Sequence, residues 1–186
     1  LALSYLLGDG RPAGSEDKID ENCIRPIFND ADLFTIKVQV KATGLANVED
    51  KYKAFIKQAI RSRKDYRGSG TPTMFTTDDV LTEMLLLEDG VGRPLYADEA
   101  ALARKLRVSK IVTVPEMEGR KGAKGGELAA VIVNLSDYTV GADKGGAVSM
   151  FDDFDIDYNA QKYLIETRCS GALTTPYSAM AIEWAA

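Results

Sequence analysis

Apolar residues Phe34, Ile36, Val38 and Val40 alternate with Thr35, Lys37 and Gln39, so the run from Leu33 to Val40 predicts a strand with one buried face. The period then changes. From Val48 to Arg63, the residues Tyr52, Phe55, Ile56, Ala59 and Ile60 recur at helical spacing and predict an amphipathic helix. Its basic end (Lys57, Arg61, Arg63, Lys64) sits at the negative pole of the helix dipole, which is favourable by about 0.3–1 kcal/mol without any nucleic acid. Thr71 to Phe75 predicts a buried strand. Thr76-Thr77-Asp78-Asp79 supplies a capping hydroxyl and first-turn carboxylates for a helix that Val80, Leu81, Met84, Leu85 and Leu87 carry to Glu88. Asp89 to Tyr96 reads as a turn, Asp98 to Leu106 as a second short helix and Lys110 to Val114 as a strand. Glu118 to Gly126 (EGRKGAKGG) predicts a flexible hairpin or a solvated loop that its glycines keep mobile.

The second half is strand-rich. Leu128 to Asn134, Ala147 to Tyr158, Gln161 to Ser170 and Ser178 to Trp184 each read as strands. Phe154, Ile156 and Tyr158 alternate with Asp153, Asp155 and Asp157, the pattern of a strand with one wet face. At the other end, Leu1, Leu3, Leu6 and Leu7 read as the last turns of an amphipathic helix closed by Gly8. A polar loop follows from Gly8 to Asn22, then a short apolar clasp from Ile24 to Ile27. A helix that begins at its own last turns, in a chain whose first residue is Leu, predicts the C-terminal part of a longer protein.

Composition narrows the function. A chain of 186 residues holds one substantial core or two small lobes sharing one. No apolar run approaches the roughly 18 residues of a membrane-spanning helix, so no membrane partner is expected. A net charge of −5 argues against a protein whose main task is gripping phosphate backbones. Cys23 and Cys169 are too few for a disulfide framework and suit a reducing compartment. The chain has no His, which removes Ser-His-Asp triads and His-bearing zinc sites. Gly119 to Gly126 lacks the Gly-Lys-Ser/Thr step of a phosphate loop.

Carboxylates crowd between Asp152 and Asp157, and a small cytosolic enzyme using that cluster is one reading of them. Counted from Asp155, the residues Asp155, Asp157, Asn159 and Glu166 also hold positions one, three, five and twelve of a calcium-binding loop. Position six, which should be Gly, is Ala160, and the flanks have strand period, so neither metal nor cofactor is expected.

Several short motifs, in a shared order, resemble the major capsid proteins of tailed bacteriophages. They are Leu6-Leu7-Gly8-Asp9-Gly10, the Leu-x-Asp-x-x-Gly-Arg element at Leu87 to Arg93, and the turn from Asn134 to Gly146 with Asp143-Lys144-Gly145-Gly146. The acidic strand Asp153 to Asn159, the Glu166 to Arg168 step, Gly171 to Leu173 and Pro176 complete the set. The resemblance implies the α+β Hong Kong 97-like capsid fold, here the central (axial) domain with part of the peripheral one. Residues 1–30 would be the end of the spine helix and a peripheral loop, 31–150 mostly the central domain, and 151–186 C-terminal strands shared with the peripheral sheet. The N-terminal arm and extended hairpin of the family would precede Leu1. The implied function is a structural subunit of a phage or prophage shell, not an enzyme. Its partners would be copies of itself in pentamers and hexamers enclosing DNA, in the virion after assembly in the bacterial cytoplasm. An encapsulin-type compartment is the close alternative. Some shells of this family crosslink a Lys to an Asn with help from a Glu. The resemblance places Asn159 at the acceptor and Glu166 at the assisting carboxylate, while the bland alternative has Asn159 capping a turn and Glu166 pairing with Arg168 or a neighbour.

Overall fold

In the computed structural model, which describes residues 25–41, 47–142, 149–155, 159–166 and 169–185, the first alternating run becomes strand β1 (Thr35–Lys41). It pairs in parallel with β9 (Ala179–Ala185), from Thr35 opposite Ala179 to Lys41 opposite Ala185. With β2 (Thr73–Thr76), β3 (Ile111–Thr113) and β4 (Leu128–Val133) they form a five-stranded sheet in the order β1-β9-β4-β2-β3. Two of the interior strands, β9 and β4, carry apolar runs, AMAIEWA and LAAVIV, because both faces of the sheet are covered.

Three helices cover one face: α1 (Val48–Ser62), α2 (Asp78–Leu85) and α3 (Glu99–Leu106). Phe55 and Ile56 of α1, Met84 of α2 and Leu102 of α3 join Ile132 and Ile182 in one core. Val131 and Val133 point the other way, against Ile27, Phe28 and Met117, which is the period of two expected of a strand. The helix starts follow the local chemistry. Thr77 Oγ1 accepts the Val80 amide at 3.4 Å and Asp98 Oδ1 accepts the Ala101 amide at 2.6 Å. After α2, Leu87 is buried and Asp89 Oδ1 accepts the amides of Val91 (2.8 Å) and Arg93 (3.0 Å), with Gly92 at φ 78°. This geometry explains the residue types of the Leu-x-Asp-x-x-Gly-Arg element. The only tryptophan, Trp184 on β9, lies edge-on to Tyr52 with centroids 5.6 Å apart and has Lys51 Nζ 4.2 Å from its ring centroid.

Three segments differ from the sequence-based expectation. The Glu118–Gly126 loop is anchored, not mobile. Glu183, buried on β9, accepts the amides of Lys124 and Gly126, and a Cβ at Gly126 would collide with the Trp184 carbonyl. The glycines there permit close approach of two backbones. Second, Tyr138–Ala142, read as part of a turn, is strand β5. It pairs with β8 (Cys169–Leu173), so the run from Gln161 to Ser170 is two strands and not one. The clasp before β1 ties into this pair: the Arg25 amide donates to the Gly171 carbonyl at 2.9 Å, and the Tyr138 hydroxyl to the Arg25 carbonyl at 2.7 Å. Third, residues 151–186 do not stay together. β9 lies inside the main sheet, whereas β6 (Ser149–Asp155) and β7 (Ala160–Glu166) form a separate two-stranded hairpin.

Candidate functional site

The β6–β7 hairpin runs from Ser149 opposite Glu166 to Asp155 opposite Ala160. Alternation puts Phe151 and its partner Leu164 on one face, and Met150, Phe154 and Tyr163 on the other. All five are between 52% and 63% exposed. The expected strand with one wet face therefore has two, because large apolar residues occupy both sides of the ribbon. Asp152 and Asp153 stand exposed among them, and Lys162 lies directly opposite Asp153. An isolated two-stranded hairpin is marginal in water. Large exposed apolar patches are characteristic of interaction surfaces, and this ribbon interleaves its apolar residues with carboxylates.

Asn159 sits at the turn of this hairpin, exposed and left-handed at φ 46°, a conformation Asn tolerates better than other side chains. Glu166 ends β7 at the opposite end, roughly 23 Å along the strand. Within one chain these two residues do not meet. The same separation dismantles the calcium-loop reading, since position twelve lies a whole strand away from position five. Asp155 ends β6, and Asp157 falls outside the described residues.

A carboxylate enzyme would need a pocket. An open cleft of ≈ 460 Å³ lies beside β1, and Asp32, Lys37, Asp65, Arg67, Lys124 and Tyr177 are among its lining residues. None of its lining residues comes from the Asp152–Asp157 cluster. Within its wall Lys37 Nζ is 2.8 Å from Asp32 and holds that carboxyl below its usual range, while Lys124 Nζ donates to the Lys37 carbonyl at 3.3 Å. The exposed hairpin was only half legible in the sequence: its strand period was visible, but apolar residues on both faces became evident only once the register was fixed.

No family model and no curated protein sequence matches the chain. Solved structures do. The capsid of an empty GTA particle superposes with a TM-score of 0.59 at 16% identity, covering 100% of this chain and 61% of that one. A structure from Gordonia phage Cozz gives 0.53 at 12% identity, over 99% of this chain and 58% of that one. The virus-like particle from Pyrococcus furiosus gives 0.50 at 10% identity, over 82% and 57% respectively. The fold is the Hong Kong 97-like capsid fold. This α+β architecture is the one the ordered motifs implied. The chain spans about three-fifths of the capsid chain first compared.

Proposed function

We propose that this chain is a structural subunit of an icosahedral shell of the phage or prophage type, built from pentamers and hexamers of itself around DNA. In that shell the main sheet and its helices form the central part, with residues 1–30 and the hairpin peripheral. The carrying observation is the β6–β7 hairpin, whose two faces are both apolar and exposed on a capsid fold. A protein acting alone gains nothing from such a surface, whereas a shell subunit covers it with neighbours. The reading predicts that the full-length parent expressed in bacteria sediments as closed particles holding nuclease-protected DNA. A parent that remains a small soluble species under all conditions tested would remove this function. Particles filled with protein instead of DNA would favour the encapsulin-type compartment.

Under this proposal Asn159 serves as a crosslink acceptor, a role that its exposed position supports. Its carboxamide stands at an exposed hairpin turn, where an amine from another subunit can attack the carbonyl carbon and expel ammonia. Glu166 would have to arrive from a different copy to remove the amine's proton. Denaturing gels of full-length particles test both roles. Covalent ladders that vanish in Asn159→Asp support the acceptor, and single-subunit bands from native particles leave both residues structural.

A further inference from the structure

We propose that the acidic hairpin β6–β7 of one copy docks onto the basic patch where α1 and α3 end on the next copy. This inference rests on the shell reading and names the contact that reading requires. The patch is built by convergence. Arg63 Nη2, just past the end of α1, donates to the Arg107 carbonyl at the end of α3, 3.2 Å away. Residues 57–67 carry five Lys or Arg, residues 104–110 carry four, and Asp65 is the only carboxylate in either segment. Lys57, Arg61 and Lys64 follow one another at i, i+4 and i+7, while Arg104, Lys105 and Lys110 supply the other half. These six are exposed, and none has an ion pair among the described residues. The helix dipole accounts for cations at each C-terminus separately. It does not account for bringing two such ends together, because like charges at close range repel.

The hairpin offers the complement. Residues 149–166 carry five carboxylates against Lys162 alone, interleaved with Phe151, Phe154 and Tyr163. A surface of Lys and Arg suits this mixture. The cationic heads pair with carboxylates and lie over aromatic faces, while their aliphatic stems cover apolar side chains. A DNA backbone would neutralise the patch equally well, but it would leave Phe151 and Leu164 bare. Self-contact satisfies both surfaces at once. The two surfaces lie on different parts of the chain, so a head-to-tail contact between them adds copies in rings or shells.

The test is charge exchange in the 186-residue chain, followed by sedimentation at high protein concentration in low and high salt. One variant carries Asp152→Lys and Asp155→Lys, leaving Asp153 in place opposite Lys162. The other carries Arg104→Glu and Lys105→Glu. Asp152, Arg104 and Lys105 are exposed, and tryptophan emission checks that the core is unchanged. The wild-type chain should self-associate more weakly as salt rises. Each variant alone should associate about tenfold more weakly or worse, and an equal mixture should recover, since each supplies the partner the other lacks. A wild-type chain that stays monomeric, or a mixture no better than its parts, overturns the proposal. So does a patch variant that loses affinity for a short DNA duplex while self-associating normally. Particle formation by the full-length parent is scored separately, so the shell reading and this contact can fail independently.

Discussion

Both carboxylate oxygens of Glu183 accept the backbone amide of Lys124, each at 3.1 Å. Oε2 also takes the Gly126 amide at 3.2 Å, so one buried side chain on β9 stands in for the strand partner that the loop lacks. Replacing it with Ala leaves two amides without acceptors next to the core. We expect Glu183→Ala to lose about 1–3 kcal/mol, with Glu183→Gln intermediate because one oxygen can still accept. Urea denaturation of the three proteins decides it, and an unchanged midpoint in Glu183→Ala would show that the loop is held by something else.

Trp184 reports on the same region. It is the only tryptophan and is buried against Tyr52 and Phe55, so its emission should be blue-shifted in the native chain and move to the red on unfolding. Trp184→Ala should destabilise by about 3–5 kcal/mol, the range for removing a large buried aromatic. A much smaller loss in calorimetry would mean that β9 is not the keystone of the helix-covered face.

Asp30 gives a pH dependence. It is buried with Oδ1 accepting the Ala31 amide at 2.8 Å, and Oδ2 has no hydrogen-bond partner among the described residues. Burial pushes its pKa above the ordinary 3.8, against the pull of the Ala31 amide and of Arg25 and Lys37. The folded state thus holds this proton more tightly than the unfolded one. The favourable contribution of Asp30 is fully present below pH 3.8 and is lost as the pH rises through the folded value. Asp30→Asn keeps an oxygen for Ala31 and has no charge to desolvate. Its melting temperature should exceed that of the wild type at neutral pH, and the gap should close as the pH falls toward 3.8. A gap independent of pH would point to packing instead of ionisation.

The hairpin should behave oppositely to the core. Phe151→Ser with Leu164→Ser removes a cross-strand pair of residues that are more than half exposed, so folding stability should change by only about 0.5 kcal/mol. The same pair in the full-length parent should reduce particle yield severely. Normal particles from that variant would show that this face of the hairpin is not an interface.

The parts of the fold legible in the sequence are those fixed by local rules. α1 followed from the spacing of Tyr52, Phe55, Ile56 and Ala59, α2 and α3 from their capping residues Thr77 and Asp98, and β4 from an unbroken apolar run. What escaped depends on contacts distant in sequence. β5 carries Gly141 and is mostly exposed, so it lacks a strand's usual pattern and exists because β8 pairs with it. The glycines at 122 and 126 look like flexibility until Glu183 is seen against them. The basic ends of α1 and α3 each read as dipole partners, and only the packing of the helices brings them to one place. Asn159 was visible as a turn residue, but its distance from Glu166 is a property of the strand between them.

The placement of β9 between β1 and β4 also governs how the protein can be made. On the ribosome, β1 emerges early and waits without its parallel neighbour until some 140 further residues have been synthesised. Through that interval β4 has an open edge and the face beneath α1 lacks Trp184. The main sheet therefore closes only after β9 leaves the exit tunnel, and a chain interrupted before β9 exposes sticky, unpaired edges that chaperones and proteases recognise. Under the proposed function, a subunit interrupted before β9 has no intact sheet from which to present either docking surface.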